Sequence, residues 1–287
     1  MNDTVTVAIE AMATRFEVAL HGAPEAILRA AAEETLAEVS RLEAMLSLYQ
    51  PTSEISHINA RGAHEPVPVS PEVFFLLQSC IELNEQTKGA FDITIAPLMK
   101  CWSFTDETGS VPTEKEIEQA CALVGINHLK LNTSDCTVRL NLEGVMLDLG
   151  SIGKGYALEQ ASKLLLENGF TNFLIHGGTS TVCAAGTQAD GTPWRIAVEL
   201  QDKQHPPLHI VDLENESLSV SGIGGKSFLD EKGVEQGHVI DPRTGRPTQA
   251  ASVAAVICDS ATQSDAWATA LLVEPSLKTP DGLRVLT

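Results

Sequence analysis

The spacing of apolar residues changes along the chain, and each change of period predicts an element. The opening run VTVAIEAMATRFEVALHG reads as two strands. Over residues 26–48, apolar side chains fall at Leu28, Ala32, Leu36, Val39, Leu42 and Leu46, which is helical spacing, with Pro24 near the start. A second helix is expected to open with Ser70 and Pro71 as cap and first turn and to end before Gly89. A third opens at Thr113, where Glu116 completes a capping box, and closes by Gly125. HLKL, TVRL and VMLDL then read as short strands. A glycine-rich turn, a helix over about residues 156–168 and the strand NFLIH follow.

The rest reads as mostly β, through WRIAVEL, LHIVDL, SLSVS, GHVID and SVAAVICD, before a last helix over about residues 260–273. Helices and strands come in mixed runs rather than strict βαβ alternation, which predicts an α+β fold rather than a doubly wound sheet. QDKQHPP, residues 201–207, reads as a polar loop, and there is no repeat of fixed period.

Composition narrows the partners. Acidic residues outnumber basic ones 38 to 19 in 287 residues, a formal charge of -19. That balance disfavours nucleic acid and anionic membrane surfaces, which need a basic face, but leaves room for a phosphate-bearing small ligand held by local donors or a cation. The six cysteines are scattered with no C-x-x-C pair, as expected of small core residues in a reducing compartment. The start lacks a basic stretch followed by an apolar one, and no run approaches the length of a membrane span. A cytoplasmic protein without membrane insertion is expected.

Several stretches bear candidate chemistry, each with a plainer reading beside it. In LDLGSIGKGYA, Gly150, Gly153 and Gly155 with Lys154 lead from a strand into a helix, either as a tight turn with a solvated lysine or as a phosphate cradle. Its G-x-x-G-x-G order is neither the dinucleotide fingerprint nor a Walker loop. SGIGGKS ends like a Walker loop, but Val220 stands where the leading glycine would be, so a turn between strands is expected. Asp265 and Thr269 lie one helical turn apart and carry oxygen ligands that suit Mg²⁺, or else form a solvated helix face. In KGAFDITIAPLMKCWSF, Phe91 beside Asp92 either grips a flat ring or packs in the core. Tyr49, ending the first helix, either lines a pocket or packs. In HVIDPRTGRP a tight hairpin explains Asp241, Pro242 and Gly245, but not an imidazole at His238.

Taken in order, MATRF, LSLYQPTSEISHIN, GAFDITIAPLMKCW, LDLGSIGKGYA, HVIDPRTGRP and DSATQSDAWATAL resemble the FAD:protein FMN transferase family, known as ApbE, over roughly residues 12–273. The resemblance implies binding of FAD, use of Mg²⁺, and cleavage of the pyrophosphate so that FMN is esterified to a threonine hydroxyl of an acceptor protein while AMP leaves. Acceptors in the family are flavoproteins with a short Ser/Gly/Ala/Thr-rich motif. The implied fold is one α+β domain over 1–287, built of two intertwined similar halves with the flavin between them.

Carried over by residue, the resemblance implies that Met12 and Tyr49 flank the flavin and that Ala90, Phe91 and Asp92 meet its ring. Asp148 and Lys154 contact FAD at the glycine-rich turn, Ile240 lies against it, and Ser151, Asp265 and Thr269 match the metal positions. On a strand His238 would share a face with Ile240, which points to a general base for the threonine proton. The chain departs from the family at Thr179 in LIHGGTS, where relatives often carry an acidic residue, in ending soon after the last helix with RVLT, and in showing no export signal or lipid anchor. Two alternatives stay open: a Mg²⁺-dependent FAD pyrophosphatase that uses water, and a flavin-binding protein without turnover.

Overall fold

A computed structural model describes residues 4–105, 108–199, 207–224 and 226–286; all but the last residue of the expected polar loop lies outside them. The first part of the chain runs β1 (Val5–Ala11), β2 (Thr14–Leu20), α1 (Glu25–Leu46), α2 (Glu54–Arg61), β3 (Val67–Pro68), α3 (Pro71–Gln86), α4 (Ala96–Cys101) and α5 (Glu114–Cys121). Then come β4 (Leu129–Asn132), β5 (Thr137–Leu140), α6 (Gly153–Glu167), β6 (Phe173–Gly177), β7 (Thr181–Ala185), β8 (Trp194–Val198) and β9 (His209–Leu213). The last part is β10 (Glu216–Gly222), β11 (Ser227–Leu229), β12 (Glu235–Gly237), β13 (Ile240–Asp241), β14 (Arg246–Pro247), β15 (Val253–Cys258), α7 (Ala261–Val273) and β16 (Arg284–Leu286).

The fold is α+β. Among the described residues its main sheet has seven strands in the order β1-β2-β6-β7-β10-β15-β16, each neighbouring pair antiparallel. Helices α1, α6 and α7 cover one face, where Leu36, Val39, Ala157, Leu158 and Trp267 pack on Phe16, Val18, Ile175 and Val256. The other face is covered by the β8–β9 hairpin, whose Trp194, Val198 and Leu213 meet Val182, Leu218 and Ile257. Because β7 is buried on both faces, TVCAA shows no alternation, and the sequence reading passed over this strand. A smaller core of Leu98, Trp102, Phe104, Ile117 and Ile240 joins α4, α5 and β13.

The predicted caps form: Ser70 accepts the Val73 N–H, and Thr113 and Glu116 make both halves of the capping box. Three expectations are corrected. VMLDL is not a strand: it makes one isolated bridge, Ile95 to Met146, and a backbone bond from Asp148 N–H to the Ile93 carbonyl at 2.7 Å. The Asn59 side chain takes a strand's place, accepting from Leu147 N–H at 2.7 Å and donating to its carbonyl at 3.0 Å. The run after GAFD, strand-like in sequence, is a turn at residues 93–94, and the Ile-Ala-Pro stretch after it opens the short helix α4, with Pro97 in its first turn, where the missing N–H costs nothing. GHVID is broken, since His238 and Val239 form a bend between β12 and β13.

Candidate active site

A cavity of about 450 Å³ opens where the β1–β2 hairpin tip, the start of α6, one face of α7 and the β12–β13 bend converge. Met12, Ala90, Phe91, Asp92, Asp148, Ser151, Lys154, His238, Ile240, Asp265 and Thr269 all lie in its wall. Tyr49 does not: it sits in the turn after α1, 70% exposed, because the helix ends at Leu46 and the ring leaves the packed face.

The glycine-rich turn is tighter than its sequence suggests. Helix α6 begins at Gly153, so Lys154 and Gly155 stand in its first turn, with their N–H groups at the positive end of the helix dipole. Asp148 accepts the Gly150 N–H at 2.8 Å and closes the turn; desolvation nonetheless holds its pKa above the usual carboxylate range. Across from it Asp265 is 4% exposed. Its Oδ2 accepts from Gly155 N–H at 2.9 Å, and its Oδ1 lies 3.5 Å from the Thr181 hydroxyl. Desolvation raises the Asp265 pKa, opposed first by the positive charge of Lys154. Thr269 Oγ1 is 3.2 Å from Ser221 Oγ and donates to the Asp265 carbonyl at 3.3 Å.

His238 turns its Nδ1 toward the Lys226 carbonyl at 3.1 Å. The Lys226 N–H also lies 3.3 Å from Nδ1; when Nδ1 carries the proton it donates to the carbonyl, and the lone pair of Nε2 is the basic site. Desolvation is the main reason its pKa lies below the ordinary histidine value. Asp92 behaves differently from an open acid. One oxygen accepts from Thr94 N–H and Oγ1, the other from Asn84 Nδ2 and Ile126 N–H, so the carboxylate ties the 90–94 turn to residue 126. Phe91 is 1% exposed and belongs to the main core while also lining the cavity.

Sequence reasoning missed Ser221 and Thr181 as neighbours of the last helix. The available signal was SLSVS, where Ser217, Ser219 and Ser221 recur with a period of two. Ser219 Oγ meets Ser264 Oγ at 2.7 Å, so this hydroxyl face is what α7 packs against. SGIGGKS runs from the end of β10 into a turn at Ile223 and Gly224, with Gly225 outside the described residues. Among the described residues no helix is long and apolar enough to cross a membrane.

A model of the ApbE family matches residues 12–285. The chain belongs to the ApbE family. A Vibrio cholerae FAD:protein FMN transferase is 32% identical over 232 residues, 79% of this chain and 68% of that protein. A Salmonella typhimurium protein of the same name is 30% identical over 84% of this chain and 70% of its own length. The crystal structure of the Thermotoga maritima ApbE protein superimposes with a TM-score of 0.86 at 28% identity, covering 94% of this chain and 87% of that one. In this ApbE-family chain the matched region contains every residue of the cavity wall named above.

Proposed function

We propose that this chain, acting as one unit, transfers FMN from FAD to a threonine hydroxyl of an acceptor flavoprotein with a Ser/Gly/Ala/Thr-rich motif, releasing AMP. The observation that carries the reading is the meeting, in one cavity, of a helix N-terminus with Lys154, a buried carboxylate at Asp265 and the imidazole of His238. The first pair suits a pyrophosphate, the second a cation, and the third a proton.

Among the described residues no three His, Cys, Asp or Glu side chains cluster as a metal cage. The donor set is all oxygen, from Asp265, Thr269 and Ser151, and fits Mg²⁺, which takes few protein ligands and completes its octahedron with phosphate oxygens and water. A Mg²⁺ ion held there would neutralise phosphate charge. Lys154, through its ammonium group and its own N–H at the positive end of the α6 dipole, holds the phosphates. His238 Nε2 accepts the threonine proton as that oxygen bonds to the FMN phosphorus and the bond to the AMP phosphate opens. The free state of the cysteines supports a cytoplasmic setting for the reaction.

Incubation with FAD, Mg²⁺ and an acceptor peptide tests the proposal. A covalent mass increase of FMN less one water, with stoichiometric AMP, is expected. AMP without the adduct would assign a pyrophosphatase, and tight FAD binding without either product a flavin-binding protein.

A further inference from the structure

We infer that Glu43 is a positioning residue for flavin binding, holding the Met12–Ala13 turn in the conformation that makes it a wall of the cavity. The inference rests on the FAD reading above. Strands β1 and β2 pair through Ala11 and Thr14, so their loop is two residues long, and both have positive φ, +49° at Met12 and +58° at Ala13. Two such residues make the hairpin turn that sequences normally supply with Asn-Gly. Neither methionine nor alanine has a side-chain oxygen to support a left-handed backbone, and each carries a Cβ that opposes it. The conformation therefore depends on its surroundings, as strained backbone at functional clefts generally does.

The surroundings include a specific clamp. Met12 N–H donates to Glu43 Oε1 at 2.6 Å across 31 residues of sequence. Glu43 lies in the last turn of α1, a helix seated on the sheet through Leu36, Val39 and Leu42. A carboxylate there faces the negative end of the helix dipole, so helix stability does not explain its position. Reaching the hairpin tip does. On the far side Gly178 N–H donates to the Arg15 carbonyl at 2.8 Å, so the hairpin is held from two elements. Met12, Ala13 and Thr14 all line the cavity.

Glu43→Ala and Glu43→Gln, titrated with FAD and with ADP, test the inference, alongside amide hydrogen exchange at Met12. Removing a charge-assisted bond from the turn should weaken FAD binding about tenfold in Glu43→Ala. ADP affinity should hold, and the Met12 amide should exchange faster. Glu43→Gln, which keeps an acceptor, should fall between. Adding Ala13→Gly to Glu43→Ala should recover most of the affinity, since glycine adopts positive φ without the Cβ penalty. Unchanged FAD affinity in Glu43→Ala overturns the inference, as does an equal loss for ADP, which marks general damage. Wild-type protein that binds no FAD overturns the transferase reading itself, and this inference with it.

Discussion

Gly155 donates its backbone N–H to Oδ2 of Asp265 at 2.9 Å, so the buried carboxylate of the cavity also caps the helix facing it. Ile152, at the N-cap of α6, has no side-chain acceptor, and first-turn N–H groups need partners. Asp265 on α7 supplies one from another helix. A Cβ at Gly155 would overlap the Ala261 carbonyl oxygen and lie 2.7 Å from the Asp265 Cβ, so the two helices meet here only because residue 155 has no side chain. One carboxylate oxygen is thus tied to the fold, and Oδ1, 3.5 Å from the Thr181 hydroxyl, is the one proposed for the cation.

Two variants of Asp265 should therefore separate. Asp265→Asn keeps an acceptor for Gly155 but turns an NH₂ group toward the metal position. It should fold normally and need far more Mg²⁺ for transfer. Asp265→Ala leaves a buried N–H unpaired and should also lose about 1–3 kcal/mol of stability. Rate against Mg²⁺ concentration and thermal melting measure the two effects. Superimposable Mg²⁺ curves for Asp265→Asn and wild type would remove Asp265 from the ligand set.

His238→Ala should slow transfer by about a hundredfold to ten-thousandfold while changing FAD affinity much less. The lowered pKa, caused mainly by desolvation, places the acid limb of the wild-type rate profile below the ordinary histidine value of 6.5. The sign for stability follows. Below that value the unfolded chain takes up a proton that folded His238 refuses. The contribution is therefore complete above about pH 6.5 and lost as pH falls through the folded pKa. An acid limb at or above pH 6.5 would assign the base to another group.

Glu159 should stabilise the start of α7. Its Oε2 accepts from Ser260 Oγ at 2.5 Å and from Thr262 N–H at 3.1 Å, and Oε1 from Lys163 Nζ at 2.9 Å. Burial alone would raise its pKa, yet these bonds hold it below the ordinary 4.5. The stabilisation is present above pH 4.5 and lost as pH falls through the folded value. Glu159→Gln should cost about 1–2 kcal/mol near neutrality. The melting difference from wild type should shrink in acid; a constant difference would mean that the charge is irrelevant.

Gly245→Ala should destabilise the protein by about 2–4 kcal/mol, from a left-handed backbone and from overpacking. Gly245 has φ +71°, and its carbonyl accepts from Trp102 Nε1 at 2.8 Å. A Cβ would overlap the Cys121 sulfur and lie 2.8 Å from Ile117. Chemical denaturation measures the loss, and a change within 0.5 kcal/mol, the usual range of a surface substitution, would show that the turn relaxes freely.

What the sequence by itself determined is local. Ser70, Thr113 with Glu116, and the Asp241–Gly245 turn act within four or five residues, so their caps and hairpin were legible before any partner was known. The one-turn spacing of Asp265 and Thr269 was legible for the same reason. Tertiary structure decided the rest. It made VMLDL an extended stretch served by the Asn59 amide, buried β7 on both faces, and broke the strand at His238. It left Tyr49 outside the cavity and brought Glu43, Gly155, Thr181 and Ser221 to the residues they hold. Residue type and spacing encode hydrogen bonds made within a turn or two. Bonds made across tens of residues depend on how helices seat on the sheet, and that is settled by the packing of the whole core.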